Sequence, residues 1–274
     1  MTNINNTILF MGTPEFASKA LVGLIENSFK VIHVITKPDK PQHRSKTLIE
    51  SKVKQVAIEN QIPVFQPKGF KKKETIDYIR KLNPALIVVV AFGRLLPKEV
   101  LNIPRFGCIN LHASLLPKFR GAAPINWAIM KGEKTTGVTV QRITEELDAG
   151  NILSQSKNEV LDEDDSISLY TKLSDSGTKL LIETVKNVFS NSFTETPQET
   201  SLVSFAPILK KEDGLVSWKR SNNELYNQVR GLLPWPVAYT TLDGKYFKIY
   251  RARMFEDKEV ESSIPGQITE VNDD

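Results

Sequence analysis

At 274 residues the chain comes to just under two domains of a typical ~150 residues each. Its composition, 40% hydrophobic, 25% charged and 8% aromatic, suits a soluble globular fold and excludes disorder, collagen and coiled coil as descriptions of the whole. Charge is unevenly spread: residues 1–80 carry 13 basic against 7 acidic side chains and residues 206–255 carry 9 against 4, while 81–205 is balanced at 13 against 14 and the last 19 residues are acidic at 1 against 7. Two basic regions flanking a neutral middle suit a polyanion lying across both ends, although surpluses of this size are also what a solvated surface carries. No apolar run approaches the roughly 20 residues that span a bilayer, and Met1 to Thr7 lacks the pattern of a secretory signal. A cytoplasmic protein without a membrane partner is expected. One cysteine, Cys108, and three scattered histidines, His33, His43 and His112, form neither an internal disulfide nor a zinc cluster, so no metal is expected.

In chain order, Thr7 to Met11 reads as a buried strand, stopped by Gly12. Thr13-Pro14 predicts a helix start, with Thr13 as the cap and Pro14 at the first helical position. The apolar residues that follow, from Phe16 and Ala17 to Leu24 and Ile25, recur at intervals of three and four and share one helix face. Val31 to Ile35 is a second strand, closed by the Lys37-Pro38-Asp39-Lys40-Pro41 turn cluster. A helix over 51–60, a short strand over 63–65, a helix over 74–82 behind the basic run Lys71-Lys72-Lys73, and the strand Leu86 to Val90 continue the alternation. Strands apolar on both faces and separated by helices predict an α/β fold, a Rossmann-like, mostly parallel sheet covered on both sides. In such sheets ligands bind beyond the carboxyl ends of the strands, near the reversal of strand order, here the loops at Gly12, Phe92-Gly93 and Ala113 onward. A single glycine after the first strand, and the absence of a G-x-x-x-x-G-K-[ST] motif, disfavour a dinucleotide dehydrogenase and a P-loop NTPase.

Chemistry concentrates between residues 107 and 150. Strand alternation over Gly107 to His112 puts Cys108, Asn110 and His112 on one face, with Asn110 and His112 at the carboxyl end and Cys108 deeper, as packing. An amide donor beside an imidazole suits oxyanion stabilisation and proton movement. The loop Ser114 to Pro124 carries Leu115 and Leu116 outside a strand, as one wall of a small-molecule pocket would. After a strand over 137–141, Asp148 adds a carboxylate in Leu147-Asp148-Ala149-Gly150, and Asn151 to Leu153 begins another strand. Asn, His and Asp without a placed nucleophile point to direct transfer by acid–base and electrostatic help, and no G-x-S-x-G elbow surrounds Ser114.

Met11-Gly12-Thr13-Pro14-Glu15-Phe16-Ala17, Asn110-x-His112, Ser114-Leu115-Leu116-Pro117-x-x-Arg120-Gly121-Ala122-Ala123-Pro124 and Leu147-Asp148-x-Gly150 together resemble the methionyl-tRNA formyltransferase family of folate-dependent formyltransferases. Further on, Asn222 to Asn227 and Arg230-Gly231-Leu232-Leu233-Pro234-Trp235-Pro236 resemble the start of that family's second domain. The resemblance implies formyl transfer from 10-formyltetrahydrofolate, a co-substrate, to the α-amine of methionine on initiator tRNA, with no metal and as a monomer. It implies Asn110 and His112 as oxyanion donors, Asp148 orienting His112 and accepting a proton, Ser114, Leu115, Leu116 and Pro117 lining the folate site, and Lys37, Lys40, Arg44 and Lys46 on a loop that enters the tRNA acceptor stem. Two other readings stay open at this stage, a sugar-nucleotide amine N-formyltransferase and a weakened folate- or tRNA-binding remnant.

Three departures from the family pattern carry expectations. Gln42-His43-Arg44-Ser45-Lys46 lacks the usual glycines around the arginine, which predicts a stiffer loop. Glu146 replaces the usual glycine before Leu147-Asp148; if that glycine serves a positive φ, Glu146 is strained or the loop differs. A long helix over 166–191 and a polar linker lead to the expected boundary between a catalytic domain, 1–204, and a β-rich, OB-like tRNA-binding domain, 205–274, with a hairpin at Ala238 to Leu242 and Lys245 to Arg251 about an Asp243-Gly244 turn. Pro265 to Val271 is predicted as a strand, and relative to the family the barrel is expected to lack its closing strands.

Overall fold

A computed structural model describes residues 6–41, 48–254, 264–268 and 271. The first strand, β1 (Thr7–Gly12), is buried along its whole length, and α1 (Glu15–Glu26) returns across the sheet to β2 (Lys30–Ile35). A two-residue hairpin, β3 (Lys40–Pro41) with β4 (Leu48–Ile49), precedes α2 (Lys52–Glu59), β5 (Val64–Phe65), α3 (Lys73–Leu82) and β6 (Leu86–Val90). After α4 (Lys98–Leu101) the chain enters β7 (Cys108–His112), β8 (Arg120–Gly121), α5 (Pro124–Met130), β9 (Thr135–Arg142), β10 (Ile152–Glu159) and α6 (Ser166–Phe189). Beyond it lie β11 (Phe205–Ala206), α7 (Asn222–Gly231) and the antiparallel pair β12 (Ala238–Leu242) and β13 (Lys245–Ile249).

Seven strands form the main sheet in the order β10-β9-β7-β6-β1-β2-β5. From β5 to β7 they run parallel; β9 and β10 are antiparallel additions at one edge. Alternate residues of the parallel strands feed two cores. Ile8, Phe10, Val88 and Ile109 pack under α1 and α6, while Leu9, Met11, Ile87, Val89 and Cys108 pack on the other face with Ile79 of α3 and Val100 of α4. The period-2 reading of 107–112 therefore holds, and Asn110 and His112 emerge on the face to which Cys108 belongs.

Local reading fails at three places. The start of α1 is not capped by Thr13: Pro14 is the cap residue and Thr13 Oγ1 is buried with no hydrogen-bond partner among the described residues. The exposed donor is satisfied from a distance, since Phe16 N–H donates to the Tyr170 hydroxyl on α6 at 2.5 Å. Pro124, expected as the end of the loop, instead opens α5, where a missing N–H costs nothing. In the stretch expected as a strand at Pro265 to Val271, the described residues Ile264 to Ile268 make a turn, closed by Gln267 N–H to the Ile264 carbonyl at 2.9 Å.

The segment around the expected domain boundary is stitched to the first unit. Phe205–Ala206 pairs in parallel with Arg120–Gly121. Past it, Arg230 of α7 donates from Nη1 to the carbonyls of Leu161 and Asp164 at 3.0 and 2.7 Å, and Asn126 Nδ2 donates to Gly231 O at 2.8 Å, so α7 docks against the loop before α6 and against α5. The hairpin turn has Asp243 and Gly244 both at positive φ, 50° and 74°, as a two-residue turn matched to strand twist requires.

Candidate active site

The chain leaves β1 for β2 on one side and resumes at β6 on the other, so strand order reverses between β1 and β6. At the carboxyl ends of these strands lies a cleft of about 680 Å³. One wall is Ala91 to Leu96 and Ile143 to Leu147, the other Gly121 to Asn126, with Pro14, Phe16 and Tyr170 at the end. Asn110, His112 and Asp148 all line it.

His112 is almost fully buried, and its Nε2 lies 2.9 Å from the Phe119 carbonyl. A carbonyl only accepts, so Nε2 carries a hydrogen, and Nδ1 is the nitrogen that faces Asp148, 3.7 Å from Oδ2. For Nδ1 also to donate, the ring must be imidazolium, with the Asp148 carboxylate as its counter-charge. Asp148 is itself held on both oxygens: Oδ2 accepts from Gly121 N–H at 2.9 Å and Oδ1 from Gln141 Nε2 at 3.0 Å. Asn110 differs from both. It is half-buried, and its carboxamide makes no hydrogen bond to another described residue, so it is free to donate into the cleft.

The positive φ expected at Glu146 belongs to Asp148, at φ 50°, a conformation that aspartate tolerates better than most residues. Glu146 is unstrained; its exposed carboxylate meets Nη1 of the buried Arg120 at 3.3 Å. Two residues on, Gly150 passes so close to the strand that a Cβ would lie 1.9 Å from the Arg142 carbonyl. Gly150→Ala is therefore expected to destabilise the fold by about 3 kcal/mol, lowering Tm by about 5–10 °C in a thermal melt, and to displace Asp148.

The predicted donor-site loop is placed differently from the expectation. None of Ser114, Leu115, Leu116 and Pro117 lines the cleft. Ser114 and Leu116 are buried, and Leu115 packs against Gly137 of β9. The backbone of this loop can be buried because its polar groups are paired. Thr139 Oγ1 donates to Ser114 O at 2.6 Å and accepts from Leu116 N–H at 3.1 Å, Gln155 Nε2 donates to Leu116 O at 2.8 Å, and Ser114 Oγ donates to Lys118 O at 2.6 Å. The loop supports the carboxyl end of β7 from behind, and the cleft wall comes instead from Phe92, Arg94, Ala122 and Ile143.

Of the basic residues, Lys37 lies with its ammonium against Gly93 at the cleft rim, and Lys40 is exposed beside it. Burial, with Arg94 and Lys40 nearby, holds the Lys37 ammonium below the usual lysine value. Between them Asp39 pairs with Lys54 at 2.5 Å and accepts from Gln66 at 2.7 Å, anchoring the stem of the hairpin. Arg44 and Lys46 lie outside the described residues. Cys108 is buried and its thiol is pushed up to about 12 by desolvation, so it stays neutral around physiological pH. It is expected to resist labelling by an aromatic disulfide reagent in the native protein at pH 8, and Cys108→Ala is expected to keep kcat within about twofold.

Sequence reasoning missed Gln141, Arg120, Gln198 and Tyr170 as parts of this site. Arg120 stood in the quoted loop and Gln141 closes a predicted strand, but neither carried a local sign of its partner. Gln198 lies 50 residues from Asp148, whose carbonyl accepts from its Nε2 at 2.8 Å.

A family model described as formyl transferase matches residues 5–185, and one described as formyl transferase, C-terminal domain, matches residues 208–274. A methionyl-tRNA formyltransferase of Geobacter metallireducens is 46% identical over 98% of this chain and 85% of its own length. One of Bacillus subtilis is 46% identical over 90% of this chain and 78% of its own. Among solved structures, the sugar 3N-formyl transferase WlaRD shares the fold with a TM-score of 0.71 at 19% identity, over 92% of this chain and 87% of that one. HypX from Aquifex aeolicus, solved with tetrahydrofolic acid, gives a TM-score of 0.67 at 21% identity, over 95% of this chain and 40% of that one. With both of its segments matched, and with relatives this similar along nearly its whole length, the chain belongs to the formyl transferase family.

Proposed function

We propose that this chain transfers a formyl group from 10-formyltetrahydrofolate to the α-amino group of methionine on initiator methionyl-tRNA, for the start of translation in the cytoplasm. The observation that carries the reading is the convergence of Asn110, His112 and Asp148 in one cleft at the switch point. The cleft suits the donor: apolar surface from Phe92, Ile143 and Leu147 can take a flat ring system, and the Asn110 carboxamide, without a hydrogen-bond partner among the described residues, is a donor awaiting an acceptor. The donor supplies an N-formyl group activated for transfer. Asn110 donates to the formyl oxygen as it gains negative charge, a device worth ~3 kcal/mol per donor. His112, held through Nε2 by Phe119, presents Nδ1 as second donor and as the proton source for the departing nitrogen. Asp148 stabilises that proton and accepts the one lost by the attacking amine, directly or through a water. All three groups come from one chain, so the site needs no residue from a second copy, and a monomer is the proposed working unit.

The acceptor end of the tRNA would lie along the rim formed by Lys37, Lys40 and Arg94, with the region from residue 205 onward as a second grip; Arg44 and Lys46, outside the described residues, are proposed as further tRNA contacts. Phosphate contacts from these lysines make binding salt-sensitive, while choice of the initiator needs base or shape readout. The sugar formyltransferases among the structural neighbours share the fold at under a quarter identity and carry no further weight. A formylation assay with 10-formyltetrahydrofolate and charged initiator tRNA, run beside sugar-nucleotide amines, decides. Transfer to the tRNA amine alone supports the reading. Transfer only to a sugar amine, or binding of donor and tRNA without turnover, overturns it.

A further inference from the structure

Residues 195–207 fall between the two matched segments, where a passive linker would be expected, yet they are sewn to both loops that build the site. Glu195 pairs with Arg142 at 2.7 Å and accepts from Asn151 at 3.1 Å. Thr196 exchanges backbone hydrogen bonds with Ile152 at 2.8 and 2.9 Å. Ser204 Oγ accepts from Phe119 N–H at 2.9 Å, and Ala206 pairs with Gly121, so close that a Cβ on Gly121 would lie 2.5 Å from the Ala206 carbonyl. Phe119 is the residue that holds His112, and Gly121 one of those that hold Asp148.

In the middle of this strap, Gln198 touches both sides of the site. Its Oε1 accepts from Nε and Nη2 of Arg120 at 3.0 and 2.8 Å. Its Nε2 donates to the carbonyls of Asp148 and Gly150, each at 2.8 Å, and lies 3.2 Å from Oε1 of Gln141, whose own Nε2 holds the Asp148 carboxylate. We propose that Gln198 is a positioning residue for formyl transfer: by clamping the carbonyls of Asp148 and Gly150 to the buried Arg120, it sets the Asp148 carboxylate against Nδ1 of His112. The inference rests on the roles given to Asp148 and His112 above.

Physical chemistry singles out an amide here. Asp148 sits in a left-handed turn, φ 50°, where few residues rest unless their surroundings hold them, and two carbonyls on the turn need donors while Arg120 needs an acceptor. A carboxamide supplies both from one planar group. Glutamate would keep the bond to Arg120, now as an ion pair, but would turn an acceptor toward the two carbonyls; alanine would release both. Gln198 does not line the cleft, so its loss should act on the rate of the bound complex and not on binding.

The test is steady-state kinetics of the full chain, with the formyl donor and charged initiator tRNA varied in turn, for the parent, Gln198→Glu, Gln198→Ala, Asp148→Asn and the double variant Gln198→Glu/Asp148→Asn. Both Gln198 variants should lose about 10- to 100-fold in kcat while each KM stays within about twofold, because the reacting groups are misplaced and not removed. Gln198→Glu should melt a few degrees below the parent yet stay folded at the assay temperature, and the double variant should be no slower than Asp148→Asn alone. If Gln198→Ala fails to fold, Gln198→Glu, which keeps Arg120 paired, decides. A kcat for Gln198→Glu within about twofold of the parent per folded molecule, or a double variant that loses the product of the two single effects, overturns the proposal. Full activity of Asp148→Asn would remove the reading of the site itself and this inference with it, a result distinct from a silent Gln198→Glu.

Discussion

Replacing His112 by alanine is expected to lower kcat by about 10³-fold while the affinity for the formyl donor changes little. The ring contributes a hydrogen-bond donor to the oxyanion and a transferable proton, and both act only as the transition state forms, so their loss should show in kcat and not in KM. The geometry sharpens this expectation. Nε2 is occupied by the Phe119 carbonyl, leaving Nδ1 as the working nitrogen, and among the described residues no other imidazole lines the cleft. Alanine would also leave that carbonyl without its partner, at about 1–3 kcal/mol of stability. A thermal melt separates this cost from the catalytic one. Donor titration followed by single-turnover formylation measures the effect, and a transfer rate equal to the parent's would remove His112 from the mechanism.

The second large effect is expected at Asp148. Asparagine has nearly the same shape and can still accept from Gly121 N–H through its oxygen, and the Gln141 side-chain amide can turn to accept from the new NH₂ group. The fold should survive, with Tm close to the parent. What disappears is the charge 3.7 Å from Nδ1 of His112. Without it a proton on Nδ1 has no counter-charge and the attacking amine no acceptor for its proton, so kcat should fall by about 10²–10⁴-fold. Equal kcat values for Asp148→Asn and the parent would mean that hydrogen bonding alone, not charge, is what Asp148 supplies.

Asn110 and His112 were legible as a pair because strand alternation is a local rule: whichever sheet forms, residues two apart share a face. The same rule separated Cys108 from the chemistry, placing it deeper on that face. Asp148 was legible as a turn residue between two strands, whose antiparallel place at the sheet edge was not legible. The basic turn at Lys37 and Lys40 was legible as a cluster, and its contact with Gly93 at the cleft rim was not, since Gly93 arrives from a different strand. The Thr13-Pro14 signal shows how local rules fail. It marked the start of the helix correctly but named the wrong cap, because Tyr170, 154 residues from Phe16, reaches the free N–H first.

Ser114 to Pro117 stand outside the cleft for a related reason. Four residues with two leucines read as an exposed wall, and whether they face solvent or the interior depends on Thr139 and Gln155, whose side chains satisfy their backbone. At Glu146 the sequence left open strain or a different loop, and in the structure the left-handed residue is Asp148, where the Gln198 contact holds it.

By itself, then, the order of residues determined the layered α/β architecture, the face on which Asn110 and His112 stand and the ends of the strands where a ligand must bind, because periodicity and turn chemistry act between near neighbours. Only the tertiary structure decided which nitrogen of His112 is free, what holds Asp148 in its turn and which loop walls the cleft. Those outcomes depend on hydrogen bonds across tens of residues, where geometry and burial, not spacing, choose the partner.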